Sequence, residues 1–406
     1  MNFLEFLNKS VTPYHTVENL KHILAPSDAG IRLFERGGAL IAVRLPRTVS
    51  EKSRFRIALA HTDFPTLKIT PRPDGSAAGV RTLHPEIYGS PIFASWLDRD
   101  LGYAGLLAYE LDGKVQTRLV CGDKLFRIPQ LAVHLNRNVN QDGLKVNPQT
   151  DLNVLWTAMG GKDRFEAALQ SELPNGARLL DFDMQLFDAQ PAQYGGFENE
   201  WIYSGRLDNL SSCHAIVESF AVAEPSEHDF QVAAFFNNEE VGSTTREGAA
   251  SNFLKSVLEE VLMSANLSSL VSRLSSNSFA LSIDMAHACH PNFESKHEPN
   301  HAPILGGGVV IKTNSQKRYA SDVYSCARFK LLCEQSNVPY QVFVSRNDMP
   351  CGSTVGPTVS ASLGIPTVDI GEPMLSMHSI REMTAVRDHE CVTRLVSAFF
   401  GRESLV

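Results

Sequence analysis

A chain of 406 residues with 43% hydrophobic and 20% charged residues can bury a large core and has room for two domains. A formal net charge of -8 excludes a nucleic-acid binder that works by neutralising phosphates. No window approaches about eighteen uninterrupted apolar residues, which excludes a membrane-spanning helix. The start, Met1 to Lys9, lacks the basic opening and long apolar run of a secretory signal. Seven cysteines (Cys121, Cys213, Cys289, Cys326, Cys333, Cys351, Cys391) form no CxxC pair, and the expectation is a reduced, cytoplasmic protein.

Apolar positions from Phe3 to Leu24 recur at helical spacing, broken at Ser10 to Pro13, with Thr16 as the expected N-cap of the second piece. Two strand-like runs follow, Ala39–Val43 and Phe55–Ala60, and the second leads straight into His61-Thr62-Asp63. Residues two apart on a strand end point the same way, so His61 and Asp63 can share one site. A metal-bound imidazole usually needs a carboxylate to hold its tautomer, which Asp63 could supply.

From Pro71 to about Phe197 the texture changes to short alternating runs punctuated by proline and glycine, which predicts a β-rich insertion over 71–197 between segments 1–70 and 198–406. Asp112-Gly113 between two such runs predicts a hairpin. Ile128 to Arg137 reads as an apolar strand carrying His134 and Arg137, both of which a structural role would explain.

After the insertion, Ser204 to Asn209 opens a helix, with Asp208 placed either to cap it or to bind a ligand. Phe230–Phe236 is a buried strand by composition and ends in Asn237-Asn238-Glu239-Glu240-Val241-Gly242-Ser243. Two adjacent carboxylates at the mouth of a buried strand repel one another and resist ionisation. A bound cation, or a proton held on one of them, removes that cost. Helical patterning is expected from Ser243 to about Ser275. The strand Phe279–Ile283 then ends in Asp284. Gly306-Gly307-Gly308 lacks the spacing of a dinucleotide fingerprint. A helix over Asp322–Gln335, strands at Val342–Val344 and Pro366–Ile370, a loop with His378 and a last helix over about Asp388–Phe400 complete the chain.

Four strand-like runs therefore end in metal-capable residues: His61 with Asp63, Glu239 with Glu240, Asp284, and His378 a few residues after Ile370. In open α/β sheets ligands collect beyond the carboxyl ends of the strands, so convergence on one rim follows from the fold class. Together with Asp208 these are two histidines and several carboxylates without thiolates, a donor set suited to zinc, manganese or cobalt. No G-x-S-x-G elbow supports a serine hydrolase.

These stretches resemble the aspartyl aminopeptidases, within the wider group of dinuclear-metal aminopeptidases. The resemblance runs through His-Thr-Asp (61–63), Gly-Arg-Leu-Asp-Asn (205–209), Asn-Glu-Glu-Val-Gly-Ser (238–243) and Ser-Ile-Asp-Met-Ala-His-Ala (282–288). It continues in Asp-Met-Pro-Cys-Gly-Ser-Thr-Val-Gly-Pro (348–357) and Met-His-Ser-Ile-Arg-Glu (377–382), so it covers essentially the whole chain. Asn237 departs from it, standing where the family commonly has an acid that is not a ligand.

The resemblance implies a three-layer α/β/α catalytic domain with an inserted β-rich dimerisation domain, and two divalent metal ions per subunit, zinc first. It implies that Asp208 bridges the two ions, that His61 and Asp284 complete one shell, and that Glu240 and His378 complete the other. Glu239 would be the general base and Asp63 the partner of His61. Lys312, on Val309 to Asn314, would meet an acidic amino-terminal residue of a peptide substrate. Dimers assembling into a larger closed homo-oligomer, a dodecamer, are implied as well, with His134 reaching a neighbour's site. A metal-dependent hydrolase of N-acyl amino acids shares the fold and ligand pattern, and a catalytically dead scaffold is a third possibility.

Overall fold

Eight strands, the central ones strongly apolar, build one mixed sheet in the order Ile31–Arg36, Ala39–Arg44, Asp229–Phe236, Arg54–His61, Phe279–Ile283, Thr367–Gly371, Val309–Thr313, Tyr340–Val344. The protein, known here from a computed structural model, is described over residues 1–25, 30–50, 53–161, 164–267 and 278–401. Asp229–Phe236, Arg54–His61, Phe279–Ile283 and Thr367–Gly371 are neighbours and mutually parallel. Strands buried on both faces read as continuous apolar runs, as Phe230 to Phe236 does.

On one face Phe55, Ile57 and Leu59 alternate into a core shared with the helices Phe253–Ser264 and Val355–Leu363. On the other, the helices Leu207–Val222 and Val386–Gly401 lie against the same strands. These are the three layers of an α/β/α sandwich. Arg56 points to the second face, fully buried, where it pairs with Asp229 and donates to the Phe399 carbonyl. A smaller five-stranded sheet, from Gln193–Gly195 to Ala286–His287, belongs to the same compact unit.

The second compact unit is Phe64–Pro191 together with His378–Arg381. Its six-stranded antiparallel sheet runs Lys114–Cys121, Leu101–Leu111, Arg178–Asp188, Thr66–Ala77, Val80–Tyr88, Val154–Ala158. Trp96, Tyr103, Phe126 and Phe165 lie in its core. Its boundaries fall at Asp63/Phe64 and Pro191/Ala192, where the sequence reading put them at 70/71 and 197/198. Thr66–Ala77 is one strand that runs through Pro71 and Pro73, so the first proline marks no boundary. Leu111 pairs with Lys114 across Asp112 and Gly113, both at positive φ, which is the expected two-residue hairpin.

Three local expectations are corrected. The second helix runs Pro13–Leu24 and is capped by Thr12, whose side chain accepts from the His15 N–H, while Thr16 lies inside it. Proline has no N–H to satisfy in a first turn, so the helix starts at Pro13. Residues 243–252 are turns, and the helix begins at Phe253. Glu247 explains this: its carboxylate accepts from the Gly38 N–H and the Asn237 side chain, folding the segment back on itself. The remainder of that expected helix, 268–275, lies outside the described residues. Ile128–Arg137 is not a strand. His134 sits exposed in a short 3-10 turn, Val133–Leu135, with Leu131, Val133 and Leu135 also exposed. The stretch meets no neighbouring strand among the described residues, and apolar composition alone does not make one.

Candidate metal centre

The parallel strands place their carboxyl ends on one rim, where the residues that close three of them meet. His61 closes the strand Arg54–His61, Glu239 and Glu240 form a 3-10 turn just past Phe236, and Asp284 follows Ile283. Asp208 reaches the same rim from the first turn of the helix Leu207–Val222. That turn is not regular: Asp208 has φ -81° and ψ 105°, Asn209 has φ -123° and ψ 28°, and the peptide between them is cis. Asp208 stands with extended backbone at this kink. Its backbone N–H donates to Glu382 Oε2 at 3.1 Å.

His61, Asp208 and Asp284 are all buried, and one donor atom from each lies within 4.8 Å of the others. His61 Nε2 stands 3.5 Å from Asp208 Oδ1 and 3.6 Å from Asp284 Oδ1. Its Nδ1 lies 3.0 Å from the Asp63 carbonyl and 3.4 Å from the Asp63 carboxylate. With Nδ1–H donating to that carbonyl, Nε2 carries the lone pair and turns it toward the two carboxylates.

The Asp63 carboxylate, expected to serve His61, serves mainly the next motif. Its two oxygens accept from the N–H groups of Glu239 and Glu240, each at 3.1 Å. One residue thus ties two strand ends together. His61, Glu239 and Glu240 also offer three donor atoms within 4.8 Å of one another.

The electrostatics follow from crowding of acids in a dry place. Burial works against the charged imidazolium of His61, but Asp208, Asp284 and Asp63 outweigh it and hold its pKa well above the ordinary value. Glu239 is pushed up to about 7, first by burial and then by Asp284, Asp63 and Asp208, with His61 opposing. Such clustering marks a site built for positive charge.

A family model described as aminopeptidase I zinc metalloprotease (M18) matches residues 6–400. The chain belongs to this M18 family. It is a zinc metallo-aminopeptidase by that membership. A probable M18 family aminopeptidase 2 of Streptomyces avermitilis is 42% identical over 420 residues, covering 98% of this chain and 96% of the relative. The protein of the same description from Pseudomonas aeruginosa is 38% identical over 425 residues, covering 99% and 98%. Among solved structures, the cryo-EM structure of the Ape4 and Nbr1 complex contains a chain superposing with TM-score 0.93 at 34% identity, over 98% of this chain and 84% of that one. The Saccharomyces mApe1 dodecamer matches with TM-score 0.82 at 25% identity, over 98% and 95%.

The donor set fits zinc. Asp208 and Asp284 face His61 Nε2 and Asp63 faces Nδ1, so the pocket favours positive charge, which a divalent ion at the Nε2 lone pair would supply. No cysteine belongs to these groups among the described residues: Cys213 donates to the His61 carbonyl, and burial pushes its pKa far up.

Of the remaining expected residues, Lys312 is buried rather than solvated. Its ammonium donates to the Met285 carbonyl at 2.9 Å, stands 3.6 Å from Asp284 Oδ2 and lies over the Tyr319 ring. His378 belongs to the second unit, half-buried, with Nδ1 3.1 Å from the Ser90 carbonyl, which leaves Nε2 as its lone-pair nitrogen. His134, also in that unit, is exposed. Asn209 and Glu382, which hold Asp208 in place, were given no role by sequence reasoning. Both stand inside the quoted motifs, beside Asp208 and at the end of the His378 loop, and that adjacency was the available signal.

Proposed function

We propose that this M18 peptidase releases amino-terminal residues, Asp and Glu by preference, from peptides at a site holding two divalent metal ions. The observation that carries the reading is the buried group of His61, Asp208 and Asp284 beside the half-buried pair Glu239 and Glu240. His61 and Asp284 would hold one ion, Glu240 and His378 the other, with Asp208 shared. Zinc is the first choice, cobalt and manganese the alternatives. Ions so placed supply polarisation of the scissile carbonyl and a more acidic water.

The chain's own residues do the rest. Glu239 is close to the group without being needed as a ligand, and a carboxyl titrating near neutral pH is matched to proton transfer. It takes the proton from the attacking water and returns it to the leaving amine as the C–N bond breaks. Asp63 keeps Glu239 and Glu240 in register through their N–H groups. Lys312 supplies the fixed cation for an acidic side chain of the substrate, while Asp284 and the Met285 carbonyl keep it extended.

The inserted β-rich unit is proposed as a dimerisation domain in a larger closed homo-oligomer, in keeping with the dodecamer formed by mApe1. In such a particle His134 of one subunit would donate to the oxyanion in its neighbour's site. Mixing Glu239→Gln with His134→Ala subunits tests this, because activity should return only if His134 works in trans. Free cysteines throughout the described residues suit a cytoplasmic setting. No helix among the described residues is long and apolar enough to cross a membrane. The family match does not favour a hydrolase of N-acyl amino acids.

Metal analysis combined with hydrolysis of Asp-, Glu- and Leu-terminated reporter peptides tests the reading. Two ions per chain and preference for acidic termini are expected. Lys312→Ala should cost about 2–4 kcal/mol in kcat/KM on acidic substrates and spare the Leu peptide comparatively. Equal losses on all three peptides would remove Lys312 from substrate recognition.

A further inference from the structure

The side chain of Asn209 is fully buried and makes one hydrogen bond, from Nδ2 to the Ile283 carbonyl at 2.9 Å. Ile283 is the residue before Asp284, and Asn209 is the residue after Asp208. One amide thus spans the helix turn that presents one carboxylate and the strand end that presents the other. Asn209 Oδ1 meets no hydrogen-bond donor among the described residues. Leaving a buried acceptor unpaired is costly, and an apolar side chain of similar size would avoid it. The donated bond is what an asparagine provides there and leucine cannot.

The same turn is restrained from two other sides. Glu382 Oε2 accepts the Asp208 N–H, and Ser211 Oγ donates to Glu372 Oε2 at 2.7 Å. Those contacts anchor the turn within the helix layer and the small sheet. Only the Asn209 amide, among the three, ties it to the strand that carries Asp284. The backbone at Asp208 and Asn209 is not helical, although the Leu210 N–H still donates to the Arg206 carbonyl at 3.2 Å across them, so the side-chain bonds at this kink bear on where the Asp208 carboxylate stands.

We infer that Asn209 is a positioning residue for the metal centre, setting the separation of the Asp208 and Asp284 carboxylates through its bond to the Ile283 carbonyl. This rests on reading Asp208 and Asp284 as ligands. A divalent ion requires its donors at fixed separation, and partners that orient ligands typically change metal affinity about 10–100-fold when lost. Loss of the Asn209 bond should therefore weaken the ion at His61, Asp208 and Asp284 more than the ion at Glu240.

The test is titration of metal-stripped, full-length protein with cobalt(II), read by visible absorption and by thermal unfolding. Asn209→Leu keeps the branching at Cγ and removes both the donor and the orphan acceptor. It should fold, bind one cobalt at least about tenfold more weakly than wild type and show an altered absorption band. Asn209→Ser, smaller and polar, should show the same change and serves if the leucine variant does not fold. Wild-type cobalt affinities and spectrum, with only a lowered Tm, would overturn the inference and leave Asn209 a packing residue. Asp284→Ala is titrated in parallel. If it binds cobalt as wild type does, the ligand assignment itself falls and the inference with it. Loss in Asp284→Ala but not in either Asn209 variant would sink the positioning role alone.

Discussion

The rim of the eight-stranded sheet and the inserted unit use charge in opposite ways. At the rim, His61, Asp63, Asp208 and Asp284 are buried together, and each polar group is set by a contact from another part of the chain. In the inserted unit, outside the strands of its sheet, charged groups such as Arg127 with Asp100 and Lys124 with Asp123 pair in exposed positions, where an ion pair contributes little. A buried acid cluster persists only if something returns the lost solvation, so it implies a cation. An exposed pair implies nothing. The difference shows why the rim could be read for chemistry from local sequence, while the inserted sheet itself read for shape.

The strongest way to break that comparison is at Glu239. Glu239→Gln should leave metal content near wild type while kcat falls by about 10²–10⁴-fold. Loss of metal together with activity would mean that Glu239 and Glu240 exchange roles.

Two glycines sharpen it further. A Cβ at Gly371 would lie 1.8 Å from the Asp284 carbonyl oxygen, which is backbone and cannot rotate away. Gly371→Ala should therefore cost about 3 kcal/mol or more in urea unfolding and lower metal uptake as Asp284 is displaced. A variant with wild-type metal affinity would show that the strand end tolerates movement. Gly113, in the hairpin of the inserted sheet, has φ +73° with nothing within 4 Å of an added Cβ. Gly113→Ala should cost only the strain of a left-handed residue, about 1 kcal/mol, with no change in metal content.

The narrowest test concerns Asp388, which is outside the proposed ligand set. Its carboxylate accepts the N–H groups of Gly306 and Gly308, yet burial pushes its pKa up to about 7 from an ordinary 3.8. Glu372 adds to the rise, while the two N–H groups and Arg387 oppose it. Below pH 3.8 the group is protonated in both folded and unfolded chains. Between there and pH 7 the folded chain keeps a proton that the unfolded chain has released, so stability falls as pH rises. Asp388→Asn lacks this penalty. Its Tm relative to wild type should climb by a few degrees between pH 5 and pH 8, and a constant difference would mean that Asp388 does not titrate in this range.

The sequence by itself determined the strand ends. Apolar runs such as Phe230–Phe236 and Phe279–Ile283 have no other use than a buried sheet, and a carboxylate just beyond one needs an explanation local enough to see. That placed His61, Glu239, Glu240 and Asp284 on one rim before any coordinates. The hairpin at Asp112-Gly113 was legible for the same reason, because two positive φ angles are a property of two adjacent residues. Only tertiary structure decided what each group faces. Asp63 proved to hold the Glu239 and Glu240 amides as well as His61, and Lys312 proved to be buried against Asp284. Asn209 gained a task through a carbonyl 74 residues along the chain. Conversely, the apolar stretch around His134 promised a strand, and none of the described residues pairs with it as one. Periodicity reports which face a side chain takes, but the partner across a hydrogen bond is chosen by packing between distant segments, and no local pattern encodes it.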